Sequence, residues 1–248
     1  MHSKKRAKII NDPIYGFIEV DKGIINDLIN HKYFQRLRRI SQLGLSYLVY
    51  PGAQHTRFQH AIGSLHLMNK ALIQLENKGH KISKLEKEGV KIAILLHDIG
   101  HCPFSHALER TIVKDINHEQ LTLIYMHKLN EEFNGKLSLA IKIFENKYER
   151  KFLNQLVSSQ LDMDRLDYLK RDSFFTGVTE GNIGVDRIIS MFDIKDDRLV
   201  IEEKGIYSIE KFIIARRLMY WQVYLPVSYT HLRAHETRGN LVCRLLLE

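Results

Sequence analysis

His97, Asp98, His101 and His106 fall within ten residues of one another, directly behind the apolar run Val90 to Leu96. A neutral imidazole beside a carboxylate can bind one divalent metal ion, and Gly100 lets the backbone turn tightly next to it. A lone His-Asp pair more often caps the end of a buried helix. The density of polar groups here argues further, because such groups at the end of a buried segment cost free energy unless something pairs with them.

Other residues have the right types and spacing to join that chemistry. Arg57 and His60 stand three apart at the start of a helical pattern, with Ser64 following on the same face. A guanidinium one turn from a metal-ligating imidazole suits a phosphorylated substrate, because ion and fork can hold different oxygens. Taken alone, His60 reads as an ordinary helix histidine. Asp164, Tyr168 and Asp172 recur at i, i+4 and i+8 and form a polar line on a helix anchored by Leu161, Leu166 and Leu169. A solvated face is the simple account of that line; a tyrosine within it and apolar neighbours on both sides favour a pocket. His118-Glu119 reads either as the first turn of a helix, where a carboxylate favours the dipole, or as a proton donor held by a carboxylate. Arg36, Arg39 and Gln42 lie in a basic stretch that can be a solvated helix face or can meet a phosphate or sugar.

The elements that must position these residues are mostly helical. Ile9 to Val20 alternates around Pro13 and Gly16 as a short hairpin. Helical spacing follows over Gly23 to Leu43, with an interruption near Asn30-His31, and Tyr33 to Gly44 reads as an amphipathic helix. Tyr50-Pro51-Gly52-Ala53 is a turn before the helix that carries His60. Lys84 starts the helix that ends in His97-Asp98, and Asn117 starts another that runs to Phe133. Ala107 to Val113, Leu137 to Phe144 and Phe152 to Leu169 also read as helical. Ser173 to Gly184 is expected to be a loop and Asp186 to Phe192 a short helix. Leu199 to Tyr207 reads as a hairpin turning at Glu203 to Gly205, and Ser208 as the cap of a final helix through Tyr224. The fold class expected is mainly α with small β-hairpin segments.

Composition bounds the rest. A chain of 248 residues with 44% hydrophobic residues and four prolines can build a substantial core and is not a disordered chain. Thirteen histidines make metal or acid-base chemistry worth searching for. A net charge of +8 favours anionic partners such as nucleotides or nucleic acid, although Lys4, Lys5, Arg6 and Lys8 concentrate part of it in a solvated front end, residues 1–8. Two cysteines, Cys102 and Cys243, without a CxxC pair fit a reducing compartment. No apolar run approaches the ~18 residues that span a bilayer, so a soluble, cytoplasmic protein with no membrane partner is expected.

Phe34-Gln35-Arg36-Leu37, Gln42-Leu43-Gly44, Tyr50-Pro51-Gly52-Ala53, His55-Thr56-Arg57-Phe58-Gln59-His60, His97-Asp98 through His106, His118-Glu119 and Asp162 through Tyr168 come in an order that resembles the HD-domain metal-dependent phosphohydrolases. Within them, the text resembles the deoxynucleoside triphosphate triphosphohydrolase branch. The likeness runs from about Ile9 to Leu225, so residues 9–225 are expected to form the HD domain. It implies His60, His97, Asp98 and Asp164 as ligands of one divalent ion, Mn, Fe, Mg or Zn. It implies Arg57 at substrate phosphate, Gln42 and Leu43 beside the deoxyribose, and Tyr168 and Asp172 in the sugar and phosphate pocket. His101, His106, His118, Glu119 and Glu109 fall in its catalytic region, with His118 protonating the leaving oxygen. Two positions depart from the pattern: Cys102 stands where the family commonly has glycine, and Glu109 where the branch often has aspartate.

The activity so implied is hydrolysis of a dNTP to deoxynucleoside and triphosphate. A nucleotidase or phosphodiesterase on another nucleotide would keep the same ligands, and a nucleic-acid-binding module would keep only the fold and its basic surface. A nucleotide is the expected partner, a homo-oligomer is allowed, and nucleic acid is not expected. Beyond Leu225, residues 226–248 resemble translated sequencing-adapter DNA and are kept out of the site reading, with His231, His235 and Cys243 among them.

Overall fold

Thr56 opens the longest helix through a capping box, its backbone N–H reaching the Gln59 side chain at 2.8 Å, which satisfies donors a helix start leaves bare. From there Phe58, Ile62, Leu65, Met68, Leu72 and Leu75 return every third or fourth residue and are all buried. Helical spacing of apolar residues thus dictates which face enters the core. Around this helix the computed structural model describes residues 8–103 and 117–225.

In chain order, strands β1 (Lys8–Asp12) and β2 (Gly16–Val20) pair antiparallel with Lys8 opposite Val20 and Asp12 opposite Gly16. Helices α1 (Ile24–Asn30) and α2 (Lys32–Gln35) follow, then a 3-10 turn over Arg36–Arg39. The long helix is α3 (Arg57–Asn77), and α4 (Lys84–Leu96) runs to the His-Asp pair. Then come α5 (His118–Glu132), α6 (Ser138–Phe144), α7 (Lys151–Val157), α8 (Met163–Thr176) and α9 (Val185–Ser190). Strands β3 (Phe192–Lys195) and β4 (Arg198–Ile201) form a second hairpin before α10 (Ile206–Met219), which widens into a π-helical turn over Tyr220–Tyr224. The architecture is mainly α with two small hairpins, as the spacing predicts.

The core lies where α3 meets α4 and α8 and where α4 meets α6 and α7. Val90, Ile92, Ala93, Ile94, Leu95 and Leu96 are fully buried, so the last turn of α4, from Ile92 on, is apolar all round. Each of the larger side chains gains about 1.5–3 kcal/mol from that burial, which fixes the place where the chain must turn out of the core at His97.

Local chemistry moved several boundaries. His31 is extended (φ −67°, ψ 141°) and its Nδ1 accepts from the Tyr33 N–H, so the interruption near Asn30-His31 is real. The helix expected over Tyr33 to Gly44 stops as a short helix and 3-10 turn by Arg39. The helix expected over Phe152 to Leu169 is broken: Ser158 is extended (φ −145°, ψ 99°), and Asp162 caps α8 by accepting from the Ser159 and Arg165 N–H groups at 2.7 Å each. Serine and aspartate side chains there offer the backbone an alternative to helical bonds. Helix α8 in turn extends into the expected loop, ending at Gly177 in the left-handed conformation (φ 76°). The second hairpin turns at Asp196-Asp197, both with positive φ (50° and 57°), as a two-residue primed turn requires. Glu203–Gly205 is instead a 3-10 turn leading into α10, so Ser208 lies inside that helix and not at its cap. Ala107 to Val113 lies outside the described residues, as do residues 1–7 and 226–248.

The turn after α4 is locked against α5. Thr122 Oγ1 accepts from the Gly100 N–H at 3.1 Å and donates to the His97 carbonyl at 3.1 Å. A Cβ on Gly100 would lie 2.2 Å from the His118 carbonyl oxygen and 2.4 Å from the Thr122 nitrogen, contacts with backbone that cannot swing aside. Gly100→Ala is therefore expected to cost about 1–3 kcal/mol and to lower the melting temperature by several degrees in a thermal scan; an unchanged midpoint would contradict the close approach.

Candidate functional site

His60 sits one turn into α3 with its ring fully buried. Its Nδ1 is 2.7 Å from Asp167 Oδ2; because a carboxylate there can only accept, Nδ1 carries a proton, and Nε2 is the nitrogen left to take a metal ion or a second proton. His97 follows the last turn of α4, and its Nδ1 lies 2.6 Å from the Ile94 carbonyl oxygen, which also can only accept. Its Nε2 is likewise turned outward. The two Nε2 atoms face each other at 3.1 Å, and Asp164 Oδ1 lies 3.0 Å from the first and 3.5 Å from the second.

Two lone pairs at that distance repel unless a proton or a metal ion stands between them. The ligating atoms of His60, His97 and Asp164 all lie within 4.8 Å of one another. Two imidazoles and a carboxylate are a donor set suited to a divalent first-row ion. Asp98 borders this group: its Oδ2 is 3.7 Å from His60 Nε2 and its Oδ1 3.6 Å from His97 Nε2. The same carboxylate accepts from the Arg57 guanidinium through Oδ2 and lies 3.2 Å from His101 Nε2 through Oδ1. The residues present thus fit a divalent ion, with three side chains facing one point and a fourth at its edge.

The electrostatics follow from burial against charge. Burial opposes a charge on His60, but hydrogen bonds to Asp164 and Asp167 outweigh it and raise its pKa to about 10. His97 is raised in the same way, burial being outweighed by the Asp98 charge and the bond to Asp164. Burial would raise Asp98, yet the Arg57 charge, then that of His97 and the hydrogen bond from His101, hold it well below the usual carboxylate range. Asp164 is lowered by its bonds to His60 and His97 against the same opposition from burial. His101 moves the other way: burial and the Arg57 charge push it down to about 3, so a neutral ring donates its Nε2–H to Asp98. His118 stacks on that ring with centroids 4.3 Å apart and planes 14° from parallel.

Asp98 and Asp164, with Arg57, His101 and His118, open into a cavity of about 420 Å³, within the roughly 300–1,000 Å³ usual for ligand pockets. Nine of the expected site residues line it: Gln42, Leu43, Arg57, Asp98, His101, His118, Asp164, Tyr168 and Asp172. Asp172 is held at both oxygens, Oδ1 2.7 Å from His55 Nε2 and Oδ2 accepting from the Tyr224 hydroxyl at 2.8 Å. Glu119 does not join them. It is exposed, because the second residue of a helix points about 100° away from the first. His106 and Glu109 lie outside the described residues. Arg36 does not face a phosphate either: it donates to the carbonyls of Ile99 and of His101 (2.8 Å) and pins the turn after Asp98. Sequence reasoning missed Gly44, Ser46, Arg165, Tyr220 and Tyr224 in the cavity wall. Arg165 was findable, one residue after Asp164; the tyrosines come from the far end of α10, which nothing in their local spacing points toward the site.

Residues 57–172 match the HD domain and residues 183–229 the HD-associated region. The chain belongs to the HD-domain phosphohydrolase family. A solved phosphohydrolase from Bacteroides thetaiotaomicron is 61% identical, superposes with a TM-score of 0.90, and is matched over 92% of this chain and 57% of that one. Among curated relatives of this HD-domain chain, the uncharacterized protein YwfO of Bacillus subtilis is 36% identical over 229 residues, 89% of this chain and 52% of that protein. The deoxynucleoside triphosphate triphosphohydrolase SAMHD1 homolog of Dictyostelium discoideum is 33% identical over 241 residues, 90% of this chain and 46% of that protein. The HD-domain chain thus spans about half the length of the curated relatives it matches. Among the described residues, no helix is long and apolar enough to cross a membrane.

The raised pKa of His60 predicts a pH dependence. In metal-free protein, the stability contributed by its proton is complete below the ordinary 6.5 and is lost as pH rises toward about 10. A divalent ion would take the same lone pair and remove that dependence. Calorimetric melting between pH 6.5 and 10 should therefore show a steeper fall in Tm with chelator than with Mn²⁺; parallel curves would contradict the shared lone pair.

Proposed function

We propose that this chain hydrolyses a deoxynucleoside triphosphate to deoxynucleoside and triphosphate, with one divalent ion held by His60, His97, Asp98 and Asp164. The observation that supports this reading is one cavity that joins the ion-facing carboxylates, a guanidinium, a stacked histidine and a wall of Gln42, Tyr168 and Asp172. A phosphate chain needs the first half of that set and a sugar with few hydroxyls the second. The kinship with the Dictyostelium protein, named for this reaction, adds to it.

When bound, the ion supplies Lewis acidity toward a phosphoryl oxygen and toward water. Arg57, fixed by Asp98, offsets charge that grows on the α-phosphate oxygens as water attacks phosphorus. His118 lies at the cavity wall beside neutral His101 and protonates the departing 5′-oxygen. Water thereby contributes its hydroxyl to phosphorus and, on balance, its proton to the nucleoside. His101, kept neutral, orients Asp98. Gln42 and Leu43 close against the deoxyribose, where the absent 2′-hydroxyl leaves room for them, while Tyr168 and Asp172 face the sugar and phosphates.

Incubating the protein with each dNTP, the matching ribonucleotides and Mn²⁺, then resolving products, tests the reading. Deoxynucleoside and intact triphosphate are expected; release of orthophosphate or pyrophosphate would point to a different HD-domain hydrolysis and sink this one. His118→Ala should lower kcat by about 10²–10⁴-fold with bound Mn²⁺ unchanged, whereas undiminished turnover would remove His118 from the reaction.

A further inference from the structure

Behind the ion-facing atoms runs a line of charged side chains with no part in the reaction just described. Asp167 Oδ2 accepts from His60 Nδ1 at 2.7 Å and from Arg171 Nε at 2.9 Å, while its Oδ1 accepts from Arg171 Nη2 at 3.0 Å. Arg171 Nη1 donates to Asp12 Oδ2 at 2.8 Å. Asp12 Oδ1 in turn accepts the backbone N–H groups of Ile14 at 2.9 Å and Tyr15 at 3.1 Å. Asp167 and Arg171 are fully buried and Asp12 is 4% exposed.

Packing alone does not account for this line. Buried ions each carry a desolvation cost of several kcal/mol, and apolar residues of the same size often serve stability as well or better. Two carboxylates flank one guanidinium, so these three side chains together carry one net negative charge, and the line ends at the Nδ1–H of His60. The space is also reserved for it: a Cβ on Gly63 would lie 2.0 Å from Asp167 Oδ1 and 2.3 Å from Arg171 Nη2.

We infer that Asp167, braced by Arg171 and Asp12, is a positioning residue of the metal centre, fixing the His60 tautomer and ring so that Nε2 is offered to the ion. Through Asp12, the β1–β2 hairpin becomes part of the site although Asp12 lies 48 residues before His60 in sequence. Carboxylates placed behind a ligating imidazole raise its basicity as well as orienting it. The inference rests on the ion-binding reading of His60 proposed above.

The test uses the full chain stripped with chelator, with Mn²⁺ affinity read by electron paramagnetic resonance of free Mn²⁺ and ligand geometry by the visible absorption of added Co²⁺. The wild type should bind Mn²⁺ and His97→Ala should not; a wild type that binds none removes the metal reading and this inference together. Asp167→Asn cannot accept from His60 and from both Arg171 nitrogens at once, so it should weaken Mn²⁺ binding by about 10–100-fold and change the Co²⁺ bands, with circular dichroism unaltered. Asp12→Asn, at the far end of the line, should weaken binding in the same direction by less. If Asp167→Asn binds Mn²⁺ as tightly as wild type with the same Co²⁺ spectrum, while His97→Ala loses the ion, the positioning role is overturned and the metal reading stands. Should Asp167→Asn fail to fold, Asp12→Asn decides on the same two readouts: unchanged affinity and spectrum overturn the inference, and a loss in both supports it.

Discussion

Two imidazoles facing each other at 3.1 Å through the nitrogens left to take a metal ion or a second proton are the constraint on which this structure turns. Each ring has spent its other nitrogen: His60 on Asp167 and His97 on the Ile94 carbonyl. Neither can relieve the repulsion by changing tautomer without abandoning a buried acceptor, and a stranded buried acceptor costs about 1–3 kcal/mol. The site therefore asks for positive charge between the rings. The same demand appears as the raised pKa of both imidazoles, since in metal-free protein a proton answers it.

Meeting that demand requires three helices to arrive at one point, and each is stopped or started for the purpose. Helix α4 is apolar from Ile92 through Leu96 and stops there, and the next residue, His97, is a ligand candidate. Helix α3 starts at Thr56, so that Arg57 and His60 occupy its first turn. Asp162 caps α8, placing Asp164 in the first turn there. Helix N-termini favour anionic groups, and two of them bring their first turns to the cavity that also collects Arg57. Charges within it are paired before any ligand arrives, as Arg57 with Asp98 shows, which holds the guanidinium in place at little further entropic cost.

Much of this was legible in the residue order. The His-Asp pair behind an apolar run, the Arg57–His60 spacing and the line of Asp164, Tyr168 and Asp172 all depend on local periodicity, and local periodicity is what a helix preserves. The cavity collects Arg57, Asp98, Asp164, Tyr168 and Asp172 from these patterns, and His60 and His97 face Asp164 behind it. Glu119 is exposed and away from the cavity for the converse reason, since adjacency to His118 in sequence separates the two around the helix. The β3–β4 turn was misplaced because Gly205 is a stronger sequence signal for a turn than Asp196-Asp197, yet the aspartates adopt the positive φ. The role of Arg36 was invisible as well: its partners are backbone carbonyls of Ile99 and His101, and no side-chain pattern announces those.

The hardest feature to read was that α8 carries two polar stripes. Asp164, Tyr168 and Asp172 follow one another at four-residue intervals along the cavity side, while Asp167 and Arg171, also four apart, lie on a face turned into the core. A pattern with acids at 162, 164, 167 and 172 and bases at 165, 170 and 171 resembles the solvated face of a surface helix. What separates the two cases is the partner across the interface. Helix α3 meets α8 with Gly63, a residue that contributes no side chain where the Asp167–Arg171 pair needs room, and with His60 one turn earlier to receive the carboxylate. The polar interior of α8 is thus explained by a missing side chain on its neighbour. A charged stripe becomes a buried one when the facing helix leaves a gap opposite it and supplies a donor at the gap's edge.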